Sequence, residues 1–231
     1  LAQMFSARYS CAVSSGTAAL HLSGLALGWG RNDVVITTPI SFLASANCVR
    51  FCNAEVDFSD INPKTYTIDV SLLEKKLERY RREGKSPKAI VGVDYAGHPC
   101  DWKALRQIAD KYELQLVNDC CHALGASYFG DKKYAEKYAD VVTHSYHPVK
   151  HITTGEGGAI FSNDNKIINI VEKAAEKINS SGKIAGSFVP QSTEQLKFCV
   201  DLGLKFITYS VDTFELKDAF MRAHNYLKKL G

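Results

Sequence analysis

The sequence has no marked excess of charge of either sign. Its 28 Lys and Arg stand against 25 Asp and Glu, a formal net charge of +3, and no basic cluster is interleaved with aromatics. That excludes the footprint of a nucleic-acid binder, which must neutralise many phosphates. No apolar run approaches the length of a membrane span, and Leu1-Ala-Gln-Met has no signal-peptide layout. The chain begins at Leu1 without an initiator methionine, which leaves room for an upstream segment. No Cys-x-x-Cys occurs. The seven cysteines (Cys11, Cys48, Cys52, Cys100, Cys120, Cys121, Cys199) are odd in number and scattered, several in apolar settings. They read as buried, reduced thiols of a cytoplasmic protein.

What is present is ordinary for a folded chain: 45% hydrophobic and 23% charged residues, which exclude disorder. A length of 231 residues bounds the answer to one large domain, or one domain plus part of another. Short apolar runs recur at Cys11–Val13, Val34–Thr37, Ala54–Phe58, Lys88–Asp94, Leu114–Asn118, Ala139–Val142 and Ala159–Phe161. Between them lie helical patterns over Ala18–Leu27, Ser41–Asn53 (carrying Phe42), Val70–Glu83 and Trp102–Tyr112. Strand alternating with helix predicts an α/β fold, a mostly parallel sheet covered by helices on both faces. Ligands of such sheets bind beyond the carboxyl ends of the strands. Thr17, Asp94, Asp119 and Lys150 all fall at or near predicted strand ends.

Two stretches carry chemistry. Ser14-Ser-Gly-Thr17 links a strand to a helix start, where free backbone N–H groups and hydroxyls suit a phosphate; a plain N-cap by Ser15 or Thr17 explains the same residues. Lys150 lies in Thr143-His-Ser-Tyr-His-Pro-Val-Lys-His-Ile-Thr-Thr-Gly-Glu-Gly-Gly158. Pro148 forbids a helix interior there, so the lysine is presented from a turn or strand end. Gly155, Gly157 and Gly158 let the chain double back behind it. An amine held that way is a candidate nucleophile; a solvated surface lysine is the plainer alternative. His144, His147 and His151 could be read as a metal trio, but Pro148 breaks the helix that would align His147 with His151, and no carboxylate is spaced to complete a set.

Ser15-Gly-Thr-Ala-Ala-Leu20, Asn118-Asp-Cys-Cys-His-Ala-Leu-Gly-Ala126 and Ser145–Gly158 resemble the DegT/DnrJ/EryC1/StrS sugar aminotransferases, pyridoxal phosphate (PLP) enzymes of fold type I. Pro39-Ile-Ser-Phe-Leu-Ala-Ser-Ala-Asn47 and Asp94-Tyr-Ala-Gly-His-Pro-Cys-Asp101 are similar to the branch that aminates UDP-4-keto-6-deoxy-N-acetylhexosamines. The resemblance covers about residues 1–165 and implies the PLP-dependent transferase large domain, here truncated. It implies that Lys150 holds the cofactor covalently and shuttles a proton, and that Asp119 pairs with the pyridine nitrogen. His122 takes the place beside the cofactor's ring hydroxyl, Phe42 stacks on the ring, and Gly16, Thr17 and Ser145 cradle the phosphate. The implied partners are a nucleotide sugar and L-glutamate, within a homodimer. A lysine at position 150 points to aminotransfer, since sugar 3-dehydratases of the family carry histidine there.

The sequence departs from the family in places. Asn118 stands where an acidic residue is usual, and Cys120–Cys121 replace smaller residues. Beyond Asn165 the motifs stop. Residues 166–192 form a divergent Lys/Glu/Ser/Gly-rich connector, and 193–231 read as helix, strand (Leu204–Ser210) and helix (Thr213–Leu230). Gly203–Asp212 with that last helix is similar to the final βα unit of HpcH/HpaI aldolase barrels, a fused tail that cannot close a barrel alone. An ordinary βα unit at the edge of the main sheet is the other reading. The expected enzyme is a PLP-dependent aminotransferase; the alternative is a non-catalytic PLP-binding or partner-binding remnant.

Overall fold

The computed structural model describes residues 2–165 continuously, together with 169–170, 173, 177, 180–182, 186–189, 197, 200–201 and 206–209. The chain divides into two compact units, Leu1–Val171 and Glu172–Gly231. In the first, the elements run α1 (Ala2–Phe5), β1 (Tyr9–Val13), α2 (Gly16–Ala26), β2 (Val34–Thr37), α3 (Ala44–Phe51), β3 (Glu55–Phe58) and α4 (Val70–Arg82). They continue through β4 (Ala89–Val93), α5 (Trp102–Tyr112), β5 (Gln115–Asp119), α6 (Ala135–Tyr138), β6 (Val141–Ser145) and β7 (Gly158–Ser162). The seven strands form one sheet in the order β1-β7-β6-β5-β4-β2-β3. From β3 to β6 every neighbour is parallel; β7 alone runs antiparallel, between β6 and β1.

The period of two along each strand explains why both faces are covered. Val35, Val91, Val117, Val141 and Ile160 point to one side, where they pack with Ala19 and Leu20 of α2 and Cys48 and Val49 of α3. Their sequence neighbours Ile36, Ile90, Leu116, Val142 and Phe161 point to the other, against Leu73 and Leu77 of α4 and Trp102, Leu105 and Ile108 of α5. With apolar residues on both faces, such strands are stable only inside a three-layer stack. Each fully buried Val, Leu, Ile or Phe contributes about 1.5–3 kcal/mol.

Three helices begin on side-chain caps: Ser15 accepts from Ala18 N (3.1 Å), Asp69 from Leu72 N (2.9 Å) and Asp101 from Ala104 N (3.2 Å). Such caps are typically worth about 1 kcal/mol each. The helix expected over Ser41–Asn53 is shorter. It starts at Ala44 with an αR Leu43 that offers no side-chain cap. Its opening bonds, Ser45 N to Phe42 O and Ala46 N to Leu43 O, are of the tighter i+3 type. Phe42 therefore sits in the turn before α3 and not on the helix.

In the second unit the described residues include β8 (Gly186–Val189) and β9 (Phe206–Tyr209), a parallel pair in the register Gly186↔Phe206. The strand expected over Leu204–Ser210 coincides with β9, whereas β8 had no signal in the polar composition of the connector. The helix expected over Thr213–Leu230 lies outside the described residues. Among the described residues no helix is long and apolar enough to cross a membrane.

Glu136 in α6 is buried, and its Oε1 has no hydrogen-bond partner among the described residues. Burial pushes its carboxyl up to about 7. The native state thus holds a proton that the unfolded chain gives up near the ordinary carboxylate value. The associated stability is complete below that value and is lost as pH rises through about 7. We expect Glu136→Gln to narrow the gap between thermal midpoints at pH 6 and pH 8; an unchanged gap would exclude Glu136 as its source.

Candidate active site

The loops at the carboxyl ends of β1, β2, β4, β5 and β6 surround a cavity of about 520 Å3. Gly16, Thr17, Phe42, Asp119, His122, Ser145 and Lys150 all line it, although they come from four separate segments of sequence. It is bordered as well by Ser41, Tyr95, Cys121, His147 and Glu156.

One side of the cavity is built by close backbone approach. Gly158, the first residue of β7, pairs with Val13 on one side and Ser145 on the other. A Cβ on Gly158 would lie 2.4 Å from Ser15 O and 2.8 Å from Gly16 N. One on Gly16 would lie 2.7 Å from Ser145 Cβ. Glycine at both positions is what lets the N-terminus of α2 close on the end of β6. Ser15 caps α2, with its hydroxyl taken by Ala18 N and its carbonyl by Ala19 N. The same cap leaves the Gly16 and Thr17 N–H groups at the positive end of the helix, near Ser145 Oγ, an arrangement that could hold an anion.

Lys150 is presented from a turn, as Pro148 requires, with its N–H donating to His147 O (2.9 Å). Tyr146 stitches the loop beneath it. Tyr146 N donates to Gly157 O (2.8 Å), and Tyr146 O accepts from Thr154 N (3.0 Å) and Thr153 Oγ1 (3.1 Å). Of the three glycines, only Gly155 has a positive φ (77°); Gly157 and Gly158 serve by leaving room.

Asp119 ends the central strand β5 and is 5% exposed. Its Oδ2 accepts from Ser45 Oγ at 2.6 Å and its Oδ1 from Cys121 N at 3.3 Å. His122 is half-buried with its ring edge-on to Tyr95, centroids 6.3 Å apart. Burial, aided by the Lys150 charge, holds its imidazole below the usual histidine range. Phe42 stands 67% exposed on the cavity wall, an open aromatic face. The donor set fits a flat phosphorylated heterocycle: N–H groups and hydroxyls at one end, a buried carboxylate at another, an amine, and an aromatic wall.

Two sequence groupings come apart. His144 is buried among Phe5, Phe161 and Tyr146, and burial pushes it down to about 3. His147 borders the cavity, where its Nε2 meets Glu156 Oε1 at 3.6 Å, and His151 is exposed. The three do not converge, and no group of three metal-ligating side chains occurs among the described residues. Asp94 directly follows β4 but is not among the residues lining the cavity. It accepts from Tyr134 Oη (2.5 Å), Trp102 Nε1 (2.8 Å), Cys100 N (2.8 Å) and Asn118 Nδ2 (3.3 Å), and burial still pushes it up to about 6. It is a structural anchor.

The first 188 residues match the model of the DegT/DnrJ/EryC1/StrS aminotransferase family, and the chain belongs to that family. The match runs past Asn165, where recognisable motifs end. The chain is 38% identical over 173 residues to the UDP-4-amino-4,6-dideoxy-N-acetyl-beta-L-altrosamine transaminase of Campylobacter jejuni, covering 74% of this chain and 44% of that protein. It is 37% identical over 160 residues to the GDP-perosamine synthase of Escherichia coli, covering 69% and 42%. It therefore spans less than half the length of these relatives. Among solved structures it resembles Helicobacter pylori PseC, an aminotransferase involved in the biosynthesis of pseudaminic acid (TM-score 0.65, 31% identity, 74% of this chain and 44% of that one). It also resembles NtdA of Bacillus subtilis with its bound cofactor PMP (TM-score 0.66, 32% identity, 74% and 37%).

Because the methyl of Gly158→Ala would meet backbone and not a movable side chain, we expect that variant to lose about 1–3 kcal/mol by chemical denaturation. A neutral substitution would mean that the Ser15–Gly16 turn can retreat freely.

Proposed function

We propose that this chain carries the cofactor-binding portion of a PLP-dependent sugar aminotransferase. The amino group would pass from L-glutamate to the 4-keto carbon of a UDP-4-keto-6-deoxy-N-acetylhexosamine, in cell-surface sugar biosynthesis. The single observation that carries the reading is the convergence of an amine (Lys150), a buried carboxylate (Asp119) and a helix N-terminus (Gly16–Thr17) on one cavity.

The residues divide the work as follows. Gly16 and Thr17 N–H with Ser145 Oγ would bind the phosphate, neutralised by the dipole of α2. Asp119, as an acceptor, would hold a proton on the ring nitrogen. His122, kept neutral by burial, would orient the ring hydroxyl. Phe42 would cover one face of the ring and exclude water from it. The cofactor, when bound, supplies an electron sink for the carbon that exchanges the amino group. Lys150 would hold the cofactor at rest and, once released, carry a proton between substrate and cofactor carbons.

The nucleotide-sugar assignment is supported by similarity to the Campylobacter jejuni transaminase, and L-glutamate by the resemblance of the cavity motifs to this family. A homodimer is part of the same reading, as is a reducing compartment, consistent with the free thiols of Cys48, Cys52, Cys100, Cys120 and Cys121.

With PLP added, borohydride reduction should fix the cofactor to a peptide containing Lys150, detectable by mass spectrometry; Lys150→Ala should carry none. Label found elsewhere, or label that survives Lys150→Ala, would overturn the assignment. Glutamate should convert the visible spectrum of the loaded protein to that of the amine form of the cofactor. A protein that binds PLP but ignores glutamate would be a binding remnant.

A further inference from the structure

The cavity wall behind Asp119 contains a feature that the cofactor roles do not use. Ser45, in the first turn of α3, is fully buried, and its Oγ lies 2.6 Å from Asp119 Oδ2 and 2.6 Å from Ser41 Oγ. A hydroxyl has one hydrogen to give, and an ionised carboxylate can only accept. The hydrogen of Ser45 therefore goes to Asp119, which leaves Ser45 Oγ to accept from Ser41. The direction of the chain is thereby settled: Ser41 to Ser45 to Asp119. The two serines are four residues apart, Ser41 in the turn and Ser45 on the helix, so the shortened start of α3 is what brings their hydroxyls together. Ser41 itself borders the cavity.

We infer that Ser45 is a positioning residue for Asp119, and that Ser41 acts through it. A short bond to a charged acceptor is of the strong class, and it pins Oδ2 against α3. Oδ1, by contrast, receives among the described residues only the long contact from Cys121 N and keeps capacity for a further donor. The relay thus fixes which carboxylate oxygen is offered to a ligand and prevents rotation about the carboxyl bond. It also ties α3 to the end of β5, so the turn that carries Phe42 and the carboxylate move as one body. The inference rests on the reading of Asp119 as the partner of the ring nitrogen.

The test is PLP binding to the cofactor-free protein, followed by absorbance for wild type, Ser45→Ala, Ser41→Ala, Asp119→Ala and the doubles Ser45→Ala/Asp119→Ala and Ser41→Ala/Ser45→Ala. Thermal melts without PLP serve as the folding control. Ser45→Ala should weaken binding about 10-fold, the scale of one hydrogen bond to a charged group. Ser41→Ala should weaken it about 3-fold, as a link one step removed. The pH midpoint of the bound cofactor's absorbance should shift in Ser45→Ala. Neither serine effect should add: Ser45→Ala should cost nothing in the Asp119→Ala background, and Ser41→Ala nothing in the Ser45→Ala background. Unweakened binding by Ser45→Ala, or full additivity in either double, would overturn the relay alone. Wild-type protein that fails to take up PLP would overturn the functional reading and this inference with it.

Discussion

The packing of one glycine against backbone organises the site. β7 is the sole antiparallel strand of the seven-stranded sheet, and Gly158 at its start touches the ends of both β1 and β6. A side chain there would collide with Ser15 and Gly16. Its absence brings the helix that follows β1 into contact with the hairpin that carries Ser145 and Lys150. Chain segments far apart in sequence thus meet at one rim. The start of α2 and the segment carrying the amine are brought to one rim by the same contact.

Much of this was legible before any coordinates. The period of two in the strands and of 3.6 in the helices gave the layers, and α5 and β2 lie within the stretches expected for them. Punctuation supplied more: Pro148 denied Lys150 a helix, and Ser15 was one of two residues expected to cap α2, the one that does so. The cavity residues Gly16, Thr17, Phe42, Asp119, His122, Ser145 and Lys150 were all anticipated from motifs, and the structure places them together. The individual roles proposed for them rest on chemistry and resemblance.

What could not be read has physical causes. Phe42 lies ahead of α3 and not on it, in a turn closed by i+3 bonds from Ser45 N and Ala46 N, a start that propensity alone does not expose. Tyr95 and Cys121 line the cavity because of where β4 and β5 end, and a boundary shift of one residue would have turned them away. Ser45 falls inside a quoted motif, yet its bond to Asp119 spans a gap in sequence that no local pattern reports. The strand-end coincidence that included Asp94 was misleading, since a strand end faces two sides of the sheet.

That two-sidedness explains the departure at position 118. Asn118 and Asp119 are successive residues, so their side chains leave opposite faces of β5. Asp119 turns to the cavity, while the amide of Asn118 reaches Asp94 at 3.3 Å. An acid at 118 would set two carboxylates side by side at fully buried positions. The amide spares the interior a second anion and gives the first a donor. Positions 94 and 118 are therefore mutually constrained: an acidic replacement at one is tolerable only if the other relinquishes its own, and homologous chains should be found to exchange the pair jointly.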